Sequence, residues 1–221
     1  MALARFPEPE LMLDAAQAQA YAAADFSKPH AHVIRRFQQL FPSLPEEATV
    51  ADLGCGPADI AIRLARLYPG FHIDAIDGSR AMLDCAAITI KDAGLTGRIR
   101  LVEAVLPDPT LPHRHYDVVV SNSLLHHLHA PATLWQTIRQ IAKPGARVFV
   151  TDLLRPDNKQ AARQTVKTYA ANEPEILQRD FYNSLLAAFT PEELHTQLAP
   201  FNFEFKVETL DDHHLTVSLT V

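Results

Sequence analysis

Short apolar runs alternate with amphipathic helical patterns through the middle of the chain. Five runs have the length and composition of buried strands, and they cover residues 49–53, 71–76, 99–102, 118–121 and 147–151. Apolar residues at helical spacing follow three of them, over residues 57–67, 79–94 and 131–142. This alternation predicts an α/β fold, doubly wound, with a mostly parallel sheet and right-handed crossovers.

Helical patterns also precede and follow this core. Residues 8–41 predict two helices. The first contains Leu11 and an alanine-rich run to Ala24, and the second begins near Ser27. Residues 158–189 predict two more, and a capping box at Thr190 starts another. These flanking helices have the right positions in the chain to cover a ligand site on the core.

The chain closes with two segments in which apolar and polar residues alternate, residues 203–207 and 215–221. Such a pair is typical of an antiparallel hairpin. We therefore expect one domain built from four parts. These are an N-terminal helical cap (1–45), a core (46–155), a helical insert that covers the substrate (156–200) and a hairpin that completes the sheet (201–221).

Composition narrows the classes of partner. The 221 residues carry a net charge of −6, without the clustered Lys and Arg that nucleic-acid binding needs. The sequence lacks a run of about 18 apolar residues, so we expect no membrane span. Early acidic residues (Glu8, Glu10, Asp14) argue against a targeting peptide, and two cysteines (Cys55, Cys85) are too few for a disulfide framework. We expect a cytoplasmic protein that acts on a small molecule.

A glycine turn after the first strand indicates the ligand class. The strand leads into Gly54-Cys55-Gly56-Pro57, and Asp77 ends the second strand about 20 residues later, an arrangement that positions a nucleoside on a doubly wound sheet. Asp59 stands where a dinucleotide fingerprint has its third glycine, and its charge opposes a pyrophosphate at the helix N-terminus. The pattern favours a nucleoside that carries no phosphates.

Taken with later motifs, this turn resembles that of the class I S-adenosylmethionine-dependent methyltransferases. The resemblance depends on Asp52, Gly54, Gly56, Asp77 and two later segments. These segments are Tyr116 to Leu128, similar to the family's fourth strand and the helix after it, and Lys143-Pro144-Gly145, similar to the turn before its fifth strand. The resemblance implies a seven-stranded sheet, S-adenosyl-L-methionine as the cofactor and a small-molecule methyl acceptor.

The resemblance also implies a set of cofactor-binding residues. We assign to it Tyr21, Asp52, Gly54, Gly56, Asp77, Gly78, Val105 and Asn122. Asp52 either attracts the ammonium group of the cofactor or holds the glycine turn, and Asp77 either binds the ribose hydroxyls or caps a helix. Val105 stands where the family often has an acid for the adenine amino group. Asn122 either contacts a ligand or caps the next helix.

The candidate catalytic residues are His126, His127 and Tyr182. We expect both histidines at the start of a helix, where the dipole lowers a histidine pKa and keeps the imidazole able to accept a proton; the alternative is a scaffold role. A metal site formed by His126, His127, His129 and Asp152 is the alternative. We expect no metal, because adjacent helical residues point about 100° apart and only part of this cluster could converge.

Three further expectations concern the acceptor and the rival functions. Arg155 or Arg179 would indicate an acceptor that carries a carboxylate. Ser121-Asn122-Ser123-Leu124 lacks the Asn-Pro-Pro-aromatic run that resembles the signature of nucleic-acid amino-methylating enzymes. Two rival functions stay open: a non-catalytic subunit that binds S-adenosylmethionine, and an NAD(P)-dependent oxidoreductase. A homodimer is possible.

Overall fold

A computed structural model describes residues 3–9 and 11–221; Glu10, one of the early acidic residues, lies outside the described residues. Seven strands form one sheet in the order β3-β2-β1-β4-β5-β7-β6. Strands β1 to β5 are parallel, and β7 runs antiparallel to both β5 and β6. The strands are β1 (Glu47–Leu53), β2 (Gly70–Asp77), β3 (Ile99–Glu103), β4 (Tyr116–Asn122), β5 (Ala142–Leu153), β6 (Glu204–Thr209) and β7 (His214–Thr220). The predicted fold class is confirmed.

Eight α-helices occur among the described residues. They are α1 (Ala15–Ala23), α2 (Ser27–Leu40), α3 (Asp59–Leu67), α4 (Arg80–Asp92), α5 (Ala132–Ile141), α6 (Lys159–Tyr169), α7 (Glu175–Ala187) and α8 (Pro191–Leu198). The described helices do not include one that combines the length and apolar content needed to cross a bilayer.

Apolar cores lie on both faces of the sheet. On one face α5 and α8 bury Trp135, Ile138 and Leu194 against the strands. On the other face α2, α3 and α4 bury residues such as Phe37 and Leu64. Both faces of the central strands are therefore covered, which explains their nearly continuous apolar sequence. A third, smaller cluster joins α6 and α7 to the end of β5.

The order of the strands places a crevice beside β1. From β1 the order of the strands proceeds to β2 and β3 on one side and to β4 and β5 on the other. Leu53 pairs with Ile76 on one side and with Ser121 on the other. The carboxyl ends of these strands thus meet at the switch point where ligands of such sheets bind.

Two helices begin later than the sequence predicts. Helix α1 begins at Ala15 and does not contain Leu11 as predicted, because the Asp14 side chain accepts from the backbone of Gln17 and caps the helix. Helix α3 begins at Asp59 rather than Pro57, because the glycine turn extends through Ala58, which has a left-handed conformation (φ 68°).

The segment after β4 was expected to be an α-helix, and this prediction is wrong. Only a short 3₁₀ turn forms, from Leu125 to His127. The reason is local: the Asp152 carboxylate accepts from the backbone N–H groups of Leu125 (2.7 Å) and His126 (3.4 Å), and Pro131 follows closely. The alternative role of Asn122 as a cap of that helix is therefore wrong as well.

Candidate functional site

The glycine turn after β1 forms the floor of the crevice. Gly54 and Gly56 have φ values of 70° and 50°, which favour glycine. The N–H of Gly54 donates to the carbonyl oxygen of Ile76 at 2.8 Å and ties the turn to β2. A Cβ on Gly54 would lie 2.8 Å from the Cβ of Leu124, whereas a Cβ on Gly56 would meet no atom within 4 Å. Leu124 therefore explains the glycine at 54, and the space beside Gly56 is open to a ligand.

Asp52 is a buried carboxylate near the end of β1. Burial and the charge of Asp77 raise its pKa to about 7, although the N–H of Ala61 favours the ionised form. Its Oδ2 is buried and has no hydrogen-bond partner among the residues that the structure describes. Because an unsatisfied buried oxygen is costly, a ligand that brings a donor or a cation to this oxygen would be favoured.

Asp77 joins the glycine turn to the start of α4. Its carboxylate accepts from the N–H of Gly56 and from the N–H of Ser79, both at 2.8 Å. Burial raises the pKa of Asp77, and these N–H donors oppose that shift. Helix α4 is capped by Ser79, whose hydroxyl accepts from Met82. Because a carboxylate oxygen accepts more than one hydrogen bond, Asp77 can still accept from a ligand.

An apolar wall lies beyond Asp77. A Cβ on Gly78 would lie 2.9 Å from a Leu11 methyl group and 3.1 Å from a Val105 methyl group. Val105 is 55% exposed, so this wall faces the opening of the crevice. The Ser79 hydroxyl donates to the Met12 carbonyl at 2.5 Å and holds the N-terminal strap (residues 3–9 and 11–14) against the wall.

Tyr21 belongs to α1, and Asn122 ends β4 at the edge of the sheet where the parallel strands end. Burial raises the pKa of Tyr21 to about 12, and the charges of Asp152, Asp59 and Asp77 act in the same direction. Asn122 ends β4, and its amide nitrogen donates weakly to Ser123 at 3.3 Å. Its oxygen and remaining donor are available to a ligand.

A buried acid–base pair stands at the end of β5. The Nδ1 of His126 lies 2.6 Å from Oδ1 of Asp152, and both side chains are about 3% exposed. Burial alone would lower the pKa of His126, but the charge and hydrogen bond of Asp152, assisted by Glu8, raise it above its ordinary value. Burial alone would raise the pKa of Asp152, but His126 lowers it. In this pair the Asp152 carboxyl group therefore favours its ionised form, and the His126 imidazole favours its protonated form.

His127 and Glu8 extend this pair. Glu8 Oε1 lies 3.5 Å from Nε2 of His126 and 3.4 Å from Nδ1 of His127. Burial and the neighbouring charge of His126 lower the pKa of His127 to about 3, so it stays neutral at physiological pH. The sequence predicts that a helix dipole lowers the pKa of both histidines, but this 3₁₀ turn provides no such helix. The pKa of His126 is raised and that of His127 is lowered. Burial raises the pKa of Glu8.

The N-terminal strap is fastened over the crevice by Arg5. Its guanidinium donates to the carbonyl oxygens of Ala187 (2.6 Å), His126 (2.8 Å) and Leu128 (3.0 Å). It also lies over the ring of Phe189, 4.1 Å from the centroid. The strap thereby joins α7 to the histidine turn and brings Glu8 to the two imidazoles.

The structure does not bring Tyr182 to this group. Asp180 and Ser184 of α7 face α1 and the strap. Tyr182 is two residues from each, about 200° around the helix, and its ring lies under the Arg163 guanidinium of α6 at 6.0 Å.

The two arginines considered for an acceptor carboxylate are also engaged elsewhere. Arg155 is buried, and its guanidinium donates to the Ala188 carbonyl (3.2 Å) and to Glu193 (2.5 Å). Arg179 is mostly exposed and pairs with the adjacent Asp180 at 3.2 Å. Arg155 thus holds α8 against the end of β5.

Two groups among the described residues bring three possible metal-ligand atoms within 4.8 Å of one another. They are Glu8, His126 and His127 in the crevice, and Asp211, His213 and His214 in the turn between β6 and β7. Asp152 is not part of the first group, since its carboxylate is hydrogen-bonded to the other ring nitrogen of His126.

Sequence reasoning missed Glu8 and Arg5 and did not pair Asp152 with His126. Asp152 was detectable, because it directly follows a predicted strand at the edge where His126 was expected. Glu8 and Arg5 carry no local signal: they reach His126 across about 120 residues of chain.

Comparison with known proteins identifies relatives of the chain. The family described as "Methyltransferase domain" matches residues 23–208. An uncharacterized methyltransferase of Mycobacterium tuberculosis is 32% identical over 107 residues, which cover 48% of this chain and 51% of that protein. The ubiquinone biosynthesis O-methyltransferase of Xylella fastidiosa is 30% identical over 110 residues, 49% of this chain and 43% of that protein. The chain thus spans about half the length of the curated relatives it matches.

Solved structures share the fold over nearly the whole chain. A SAM-dependent methyltransferase from Aquifex aeolicus superposes with a TM-score of 0.71 at 16% identity and covers 95% of this chain and 99% of its own. A putative S-adenosyl-L-methionine-dependent methyltransferase from Methanococcus maripaludis gives a TM-score of 0.73 at 19% identity, with coverage of 97% and 96%. At this identity the likeness shows the fold.

Proposed function

Because the chain belongs to the methyltransferase domain family, we propose that it transfers a methyl group from S-adenosylmethionine to a small-molecule acceptor. The observation that carries the proposal is the buried Asp152–His126 pair, which stands at the same sheet edge as the glycine turn. The pair provides a base beside the site where a nucleoside cofactor would bind.

The crevice residues fit this cofactor. The unsatisfied Asp52 Oδ2 would receive the ammonium group, the open space beside Gly56 would receive the methionine chain, and Asp77 would accept from the ribose hydroxyls. Leu11, Gly78 and Val105 would line the adenine, with Tyr21 and Asn122 at the sides. When bound, S-adenosylmethionine supplies an electrophilic methyl group on a sulfonium.

The residues of the chain then have two tasks, alignment and proton removal. Alignment by the walls of the crevice supplies much of the acceleration of such a displacement. The Asp152 carboxylate holds the proton on Nδ1 of His126. The raised pKa of His126 makes it a stronger base, and in the neutral form its Nε2 accepts a proton from the acceptor. Neutral His127 beside it does not add a repelling charge.

We infer that the acceptor binds where the Glu8 carboxylate now lies. This carboxylate faces Nε2 of His126 at 3.5 Å, where the acidic hydrogen of an acceptor would lie. We infer that acceptor binding displaces this carboxylate by a shift of the strap. A hydroxyl acceptor suits a histidine base, and the similarity to an O-methyltransferase supports that choice.

The oxidoreductase alternative is less well supported. Asp59 lies in the first turn of α3 and is held by His30 Nδ1 at 2.6 Å and by Arg63. Its pKa is lowered by these two partners, although burial alone would raise it. A fixed negative charge at this helix N-terminus opposes the pyrophosphate of a dinucleotide.

A transfer assay tests the proposal. Radiolabelled S-adenosylmethionine is incubated with phenols, catechols, amines and carboxylates, and the label in each product is counted. We expect transfer to a hydroxyl compound and a loss of about 100-fold or more in kcat for His126→Asn, the usual contribution of a general base. S-adenosylhomocysteine affinity should change less than about twofold.

The exposed His113 supplies the matched control, because His113→Asn should leave kcat unchanged. Asp152→Asn should lose activity as well, since the tautomer of His126 is no longer fixed. Undiminished transfer by His126→Asn would refute the base assignment. Failure of the wild-type protein to bind S-adenosylhomocysteine would refute the function.

A further inference from the structure

A second histidine and carboxylate cluster lies away from the Asp152–His126 pair, in the turn that joins β6 to β7. Asp211, His213 and His214 come from this turn, and their ligand-type atoms all lie within 4.8 Å of one another. Asp211 Oδ1 is 3.0 Å from Nδ1 of His214 and 3.4 Å from Nδ1 of His213. Zinc–nitrogen bonds of 2.0–2.1 Å in a tetrahedron place neighbouring ligand atoms about 3.3 Å apart, so these separations match the edges of a zinc site.

A fourth ligand is available from helix α2. His32 Nδ1 lies 3.8 Å from Oδ2 of Asp211, and its side chain is 43% exposed, so the ring can rotate. One helical turn later Arg36 pairs with Glu208 of β6 at 2.6 Å, which fixes the same face of α2 against the hairpin. His32 therefore already lies beside the turn without any movement of the helix.

Two further side chains, Asp212 and Tyr169, border the cluster. Asp212 holds Nδ1 of His213 at 2.6 Å, and the Tyr169 hydroxyl donates to the other oxygen of Asp212 at 2.7 Å. The same nitrogen of His213 lies 3.4 Å from Asp211. A cation bound to it would therefore replace its hydrogen bond to Asp212.

We propose that Asp211, His213 and His214, together with His32, form a site for a divalent transition-metal cation such as Zn²⁺ that joins the β6–β7 turn to α2. Imidazole ligands select Zn²⁺ over Mg²⁺, which prefers oxygen. The site connects elements that lie far apart in sequence, so the bound cation stabilises the folded chain.

Titration of Zn²⁺ into the metal-free full-length chain, in competition with a chromogenic chelator, tests this assignment. We expect one Zn²⁺ per chain at this site, a rise in the melting temperature with Zn²⁺ but not with Mg²⁺, and visible d–d absorption of tetrahedral Co²⁺. His214→Gln and Asp211→Asn, both in the β6–β7 turn, should each weaken Zn²⁺ binding at least about tenfold. His32→Gln, on α2, should also weaken Zn²⁺ binding.

Two control variants separate this site from other histidines. His113→Gln removes an exposed histidine, and Glu8→Gln alters the crevice group; both should keep the affinity of the wild type. Circular dichroism of each metal-free variant checks the fold. If a turn variant does not fold, His32→Gln on the surface of α2 provides the test of Zn²⁺ binding. Wild-type affinity in the turn and α2 variants, loss of binding in Glu8→Gln, or no stoichiometric binding by the wild type would each overturn the proposal.

Discussion

At the scale of single residues, Asp52 combines complete burial with an unsatisfied oxygen. Its surroundings penalise the charged form, and the pKa of about 7 places the change of charge within the physiological range. A cationic ligand group next to this carboxyl would favour the ionised form. Ligand binding and proton release at Asp52 should therefore be coupled.

The coupling gives a pH dependence with a defined sign. Below pH 7 the free protein holds a proton on Asp52, and binding of the ammonium group must release it. The affinity for S-adenosylhomocysteine should thus fall as the pH drops from 7 to 6, by up to about tenfold per unit, and level off above 8. Calorimetry at several pH values measures this, and Asp52→Asn should flatten the profile. An unchanged profile in that variant would assign the titration to another group.

The two adjacent histidines show that sequence neighbours can differ in chemistry. Asp152 raises the pKa of His126, while burial and the His126 charge lower that of His127 to about 3. The sequence predicts the presence of both imidazoles but not this division. It depends on Asp152 and Glu8, which only the tertiary fold brings to the histidine turn.

At the scale of elements, the N-terminal strap is held against α7 and the histidine turn. Arg5 anchors it to three carbonyl groups on two different segments. Burial lowers the pKa of Arg5, but a guanidinium keeps its charge in proteins at physiological pH. The Arg5 guanidinium is therefore a charged donor among carbonyl acceptors. Its removal takes this donor away from the carbonyl groups of Ala187, His126 and Leu128.

Arg5→Ala should loosen the strap without unfolding the sheet. Hydrogen bonds to charged groups contribute roughly 1.5–3 kcal/mol, so we expect faster proteolysis near the N-terminus and about tenfold or greater loss of S-adenosylhomocysteine affinity. Limited proteolysis with mass spectrometry and calorimetry measure the two effects. Arg80→Ala, on an exposed helix position, is the control. If the strap resists proteolysis equally in Arg5→Ala and Arg80→Ala, the proposed anchoring by Arg5 is contradicted.

The elements themselves were predictable where their signals are local. Periodicity predicts the five parallel strands, and the Ser79 and Thr190 caps fix two helix starts. The 3₁₀ turn at Leu125 was not predictable, because a carboxylate 27 residues away satisfies its backbone. The same holds for the strap, whose partners are distant in sequence.

At the scale of the whole molecule, the sheet order explains why the site is where it is. The ends of β1, β2, β4 and β5 deliver Asp52, Asp77, Asn122 and Asp152 to one edge. Helices cover both faces of the sheet, so this edge is where a ligand can reach the strand ends. The glycine turn and the acid–base pair therefore belong to one crevice.

The central claim is that this crevice binds S-adenosylmethionine rather than a dinucleotide. Calorimetric titration of S-adenosylhomocysteine and of NADH into the wild type and Asp77→Ala tests it most directly, with ligand-free melting of the variant as the check on folding. We predict binding of S-adenosylhomocysteine, no binding of NADH, and at least about tenfold weaker binding in Asp77→Ala, or about 1.4 kcal/mol. Binding of NADH in preference to S-adenosylhomocysteine, or equal affinity in a folded Asp77→Ala, would contradict the account.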